Sequence, residues 1–202
     1  LLWERRGPQR AAERQNRAGD RALSAPPPPV PRGEPLAGLL AGLGSGAFMA
    51  AGLAGLYLLA LRGGPLLADA APRVADRVTA IGAGTPVRFL LLTLFLSGLH
   101  SLLEEYYWRW FVFGRLQRRL GRVSSVALSS LAFTAHHVIV LHAFAGPDHV
   151  TATACLSAAV AAAGALWALL YVRYATLAPS WLSHLLVDVA IMAIGYDLVF
   201  GG

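Results

Sequence analysis

Ten ionisable side chains lie within otherwise apolar stretches of this chain: His100, Glu104, Glu105, Arg109, His136, His137, His142, His184, Asp188 and Asp197. Such groups are costly at membrane depth and usually mark function. Glu105 and Arg109 are four residues apart, so on a helix they share a face and can pair. Glu104 points about 100° away from Glu105 and is free to face elsewhere. Phe133 and His137 are also four apart, as are His184 and Asp188, each pair on one helical stripe. One segment thus offers a carboxylate beside an ion pair. A second offers an imidazole with an aromatic below it, and a third an imidazole and a carboxylate together. Carboxylate and imidazoles around a water are the parts of general-base hydrolysis, with or without a metal. Plainer readings exist for each alone. A Glu-Arg pair can be structural, His136 and His137 can be one buried and one interfacial residue, and His184 can satisfy a backbone carbonyl. His100 and His142 read as segment-end residues, Asp197 as a membrane-edge residue and Arg173 as an anchor. Their joint occurrence on three segments favours a site.

The elements that must position these groups are legible from composition. The chain has 202 residues, of which 56% are hydrophobic and 14% charged; soluble domains carry roughly 25% charged residues. This excludes a disordered chain, a fibrous repeat and a disulfide scaffold, and argues against a soluble globular domain. Five apolar segments follow one another: 36–61, 87–104, 124–144, 150–172 and 176–200. Each can cross a ~30 Å hydrocarbon layer. Within the first, Gly42 and Gly46 have the small-xxx-small spacing that lets helices approach closely. Residues 1–35 hold seven Arg and a run from Pro26 to Pro29, and read as a disordered tail. No apolar core follows those Arg before the prolines, so the tail does not read as a signal peptide. The chain does not begin with Met, which suits a fragment or a misassigned start.

Net charge is +6, carried by Arg without a single Lys. The Arg fall in the tail and in short loops, so the pattern fits the cytoplasmic-side bias of membrane proteins and not a nucleic-acid face. Arg115, Arg118, Arg119 and Arg122 put the loop between segments two and three in the cytoplasm. The Pro147–Asp148 loop and the C-terminus then lie outside, and the tail lies inside. The 62–88 loop fits less well: it carries four Arg yet falls outside. The lone Cys155 is expected to be a small packing residue.

Glu104-Glu105-Tyr106-Tyr107-Trp108-Arg109 resembles the EExxxR motif of the CPBP family of intramembrane proteases (CAAX protease and bacteriocin-processing, or Abi, family). Phe133-Thr134-Ala135-His136-His137 is similar to its FxxxH motif. His184-Leu185-Leu186-Val187-Asp188 is similar to its HxxxN/D motif. The three occur in the family's order over about residues 88–200. The resemblance implies that Glu104 and His137 activate the attacking water, that Glu105 and Arg109 hold the pocket, and that His184 and Asp188 support the oxyanion. Preorganised donors in a dry pocket are effective at that task. Neutral His184 can donate and ionised Asp188 cannot, so Asp188 is expected to orient His184. Three departures stand out: Asp188 stands where Asn is frequent, Trp110 replaces a frequent Gly, and His136 doubles the histidine that spacing from Phe133 assigns to His137.

The expectation is therefore an all-α polytopic membrane bundle of about five or more transmembrane helices. A tail over 1–35 precedes a protease domain over 36–202. The expected activity is an intramembrane endopeptidase, glutamate-type or metal-dependent. A glutamate-activated water without a cofactor is the favoured reading, and zinc held by Glu104, His137 and His184 is the alternative; there is no HExxH helix. Partners are a membrane-associated or secreted-precursor peptide and the lipid bilayer, with no nucleic acid. The Arg-only, Ala- and Gly-rich usage suggests a GC-rich bacterial genome, hence a bacterial inner membrane, and weighs against prenylated substrates. The competing class is a non-enzymatic membrane protein, an immunity factor or small transporter, using the same polar pocket. Transport would favour repeated halves with broken helices, and no internal repeat is visible.

Overall fold

The computed structural model describes residues 34–201, and all regular structure among them is helical. The tail expected to be disordered lies almost wholly outside the described residues. Helix α1 spans Pro35–Leu56 and runs on through a wider π-helical turn, Tyr57–Leu61. A shorter helix, α2, spans Pro65–Ala80. Then comes one long helical stretch. It comprises α3 (Pro86–Leu94), a π-helical turn (Phe95–His100), α4 (Ser101–Glu105), a second π-helical segment (Tyr106–Phe113) and α5 (Gly114–Ala145). Helices α6 (Val150–Tyr174) and α7 (Ala178–Phe200) complete the order. Pro35, Pro65 and Pro86 each open a helix, where the missing N–H would have had no partner anyway.

Four helical stretches are long and apolar enough to cross a membrane: Pro35–Leu61, Pro86–Ala145, Val150–Tyr174 and Ala178–Phe200. The second is 60 residues long. At 1.5 Å per residue a continuous helix of that length would extend about 90 Å, three times a hydrocarbon core. Gly121 breaks it, with φ 74° and ψ 175°. Only glycine takes that conformation without a Cβ penalty. The break leaves 86–120 and 122–145 as two spans, so the five expected segments are present. Large apolar side chains point outward all round, Phe48, Leu59 and Val123 among them. In water such a surface would aggregate; in a bilayer it is the lipid-facing face. The chain is a multi-pass membrane protein.

The glycines of α1 have a specific partner. A Cβ on Gly42 would lie 2.8 Å from Pro179 Cα, and one on Gly46 2.8 Å from Ser183 Cα. The stripe therefore lets α1 lie directly on the backbone of α7, one turn before and level with His184. Ser45 Oγ donates to Ser183 Oγ across this contact at 3.1 Å.

The segment between the first two spans differs from the expected loop. Residues 65–80 form a helix with Ala70 and Val78 buried. It packs across the ends of α5 and α7. Arg73 donates to the carbonyls of Ala145 (2.6 Å) and Phe144 (3.4 Å), which end α5 without an intrahelical partner. Arg77 lies over the Phe144 ring, and Asp69 meets His149 at 3.4 Å. At the same end of the bundle Asp197 accepts from Tyr57 and Arg62, tying α7 to α1. Cys155 is exposed, not packed.

Candidate active site

The widened turns at 95–100 and 106–113 flank Glu104 and Glu105 on both sides. Each π-helical turn carries more residues than an α turn, so it re-aims the side chains that follow. The two carboxylates leave the helix in different directions and meet different partners.

Glu105 is completely buried. Its Oε2 accepts from Arg109 Nε at 2.9 Å, and its Oε1 accepts from Arg109 Nη2 at 3.3 Å. The same Oε1 lies 3.1 Å from His184 Nδ1, which donates to it. Arg109, itself fully buried, sits over the Phe133 ring with Cζ 5.1 Å from the centroid. A two-pronged guanidinium–carboxylate pair with an aromatic face against it is a strong way to hold a charge out of water. Glu105 therefore links the ion pair of its own helix to the histidine of α7.

Glu104 faces the more open side, with 13% of its side chain exposed. Its Oε1 lies 3.0 Å from His136 Nε2. Its Oε2 is 3.7 Å from His184 Nε2 and 3.9 Å from His100 Nδ1. The sequence paired Glu104 with His137, and the direct hydrogen-bond partner is instead His136. The local geometry explains the difference. His137 donates its Nδ1 proton to the carbonyl of Phe133, one turn earlier, at 3.0 Å. His136, about 100° round the helix, stacks flat on Trp108 (centroids 5.3 Å apart, 4° between planes) and reaches Glu104. His137 remains beside it, with ring centroids 4.0 Å apart. His184 is 3% exposed, and its Nε2 lies 3.5 Å from Asp188 Oδ1. Asp188 thus sits at the outer nitrogen of His184, while Glu105 holds the inner one. Sequence reasoning gave Asp188 the orienting role and assigned Glu105 only to Arg109.

Glu104, Glu105, Arg109, His136, His137, His184 and Asp188 thus form one constellation from three separate segments. His142 and Asp197 stand outside it. His100, which reads as a segment-end residue in the sequence, lies 3.9 Å from Glu104, and its i,i+4 spacing to Glu104 is the signal that includes it.

A metal fits a slightly different set from the expected one. One ligand atom each from Glu104, His136 and His137 lie within 4.8 Å of one another. A carboxylate and two imidazoles are donors that suit zinc, which would polarise a water held at an open position. His184 is not one of this trio; Glu105 holds its Nδ1.

A carboxylate–imidazole cluster thus lies inside an apolar bundle of membrane-spanning helices. The particular family follows from comparison: the model of the type II CAAX prenyl endopeptidase Rce1-like family matches residues 86–190, and the chain belongs to that family. The matched stretch contains all three motifs and every residue of the constellation. No curated protein and no solved structure matches the chain.

Proposed function

We propose that the protein is an intramembrane endopeptidase. It would hydrolyse one peptide bond of a membrane-associated substrate by water activated at Glu104. The observation that carries this reading is the asymmetry of the two adjacent glutamates. Glu105 is saturated by Arg109 and His184 in a sealed environment, whereas Glu104 is partly open and faces three imidazoles.

In this mechanism a water held by Glu104 and the paired histidines, His136 and His137, loses a proton to the Glu104 carboxylate as it attacks the scissile carbonyl. The negative charge that develops on the carbonyl oxygen needs a donor already in place. His184 supplies it as the imidazolium, donating from Nε2–H while Nδ1–H is held by Glu105 and Asp188 lies beside Nε2. Collapse of the tetrahedral intermediate expels the amine, which takes the proton from Glu104. Arg109 does not touch substrate; it keeps Glu105 ionised and fixed. The substrate class suggested by the family is a C-terminal tail carrying a prenyl group, which a bilayer would hold at the depth of the site.

The test uses full-length protein in lipid nanodiscs and two internally quenched peptides of one sequence, farnesylated and unmodified. Cleavage at a single bond, identified by product mass, supports the proposal, and preference for the farnesylated peptide identifies the lipid as a recognition element. Equal cleavage of both moves the substrate class to unmodified membrane peptides. Cleavage of neither, by protein that is folded and monodisperse, contradicts the reading and favours an immunity or transport role.

A further inference from the structure

Helix α6 supplies none of the ionisable residues of the site, yet it places an aromatic ring against one of them. Trp167 stacks on His184 with ring centroids 4.0 Å apart and 16° between planes. The indole is itself held in place. Its Nε1–H donates to Ser183 Oγ at 3.0 Å, and its backbone carbonyl accepts from Ser180 Oγ at 2.8 Å. Ser183 also accepts from Ser45 of α1, so three helices converge behind the ring. Trp167 is 3% exposed and packs with Phe133 and Leu170.

Holding an imidazole requires more than one hydrogen bond. Glu105 fixes Nδ1 of His184, but the ring torsion of a histidine is a broad, soft coordinate. A flat face at contact distance removes that freedom, because tilting the imidazole drives it into the indole. We propose that Trp167 is a positioning residue: it sets the plane of the His184 ring and so the direction in which Nε2 points toward Glu104 and Asp188. The kinetic consequence rests on the hydrolytic reading above, whereas the positioning itself does not.

The experiment therefore has two arms, both with full-length protein in nanodiscs. Three variants are compared with wild type: Trp167→Phe keeps an aromatic face without the N–H, Trp167→Leu keeps bulk without a face, and Leu170→Ala disturbs the same packing cluster without touching His184. With the farnesylated quenched peptide, Trp167→Leu should lower kcat by about 10- to 100-fold, the scale of a misplaced catalytic group, with KM nearly unchanged. Trp167→Phe should recover most of the rate. Leu170→Ala should lower the melting temperature yet keep kcat within about 2-fold of wild type.

The second arm reads the ring directly, by NMR of protein labelled at the histidine side chains and assigned with His184→Gln. Wild type should give one His184 signal shifted upfield by the indole; Trp167→Leu should give a broadened or split signal near the ordinary position. Wild-type kcat in Trp167→Leu, an equal kcat loss in Leu170→Ala, or an unchanged His184 signal in Trp167→Leu would each overturn the proposal. If wild type cleaves no peptide, the hydrolytic reading fails while the NMR arm still decides the positioning role.

Discussion

At the scale of single residues, two neighbouring glutamates differ because their surroundings differ. Glu105 has no exposed surface and three hydrogen-bond contacts, to Arg109 twice and to His184 once. Replacing it with Gln leaves the Arg109 charge buried without its counter-charge, a change that typically costs about 3–5 kcal/mol. Glu105→Gln should therefore lower membrane abundance and the melting temperature in detergent markedly. Glu104→Gln should leave both close to wild type, since Glu104 is partly solvated and its partners are imidazoles. Thermal melts of both variants check this, and a larger loss for Glu104→Gln would contradict it. The motif spacings made all of these residues visible in the sequence. Spacing from Phe133 selects His137 as the partner of Glu104, whereas His136 makes that hydrogen bond. That choice is tertiary: Trp108 stacks on His136, and the Phe133 carbonyl engages His137.

At the scale of elements, the approach of α1 to α7 depends on the absence of side chains at Gly42 and Gly46. Cβ atoms there would collide with backbone, which cannot step aside as a flexible side chain could. Gly42→Leu should force the helices apart and destabilise the protein by about 1–3 kcal/mol, as overpacking generally does. It should also stretch the Ser45–Ser183 contact behind Trp167. Gly44→Leu is the comparison, because a Cβ at Gly44 meets nothing within 4 Å. Thermal melts should show a clear loss for Gly42→Leu and almost none for Gly44→Leu; equal effects would refute the close-packing account. The glycine spacing announced this contact in the sequence, although not its partner. Helix α2 was less legible, because Pro72 and four charged residues mask its pattern. Leu66, Ala70, Val74 and Val78 nonetheless recur every four residues, which is a helical stripe. The π-helical turns around the site carry no residue-type signature at all.

At the scale of the whole molecule, the placement of Arg is the strongest guide to orientation. Arg115, Arg118 and Arg119 follow a long apolar span and precede the break at Gly121, and Arg122 comes directly after it. Those of 62–88 weighed against the assigned topology in sequence, and the structure gives them other work. Arg62 pairs with Asp197, Arg73 caps α5, and Arg77 lies on Phe144. With exposed Cys155 replaced by Ser, a cysteine introduced at Arg122 should react with a membrane-impermeant maleimide only after the cytoplasmic face is opened. One at Asp148 should react from outside in intact cells. The reverse pattern would invert the topology without disturbing the site.

Activation of water by Glu104 is the step on which the proposed hydrolysis depends. Its most direct test is the turnover of the farnesylated quenched peptide by wild type and Glu104→Gln in nanodiscs, at matched melting temperature and matched protein amount. General-base catalysis is worth about 10²–10⁴-fold, so the variant should lose at least about two orders of magnitude in kcat while still binding the peptide. A folded Glu104→Gln protein that cleaves at the wild-type rate would contradict the central claim.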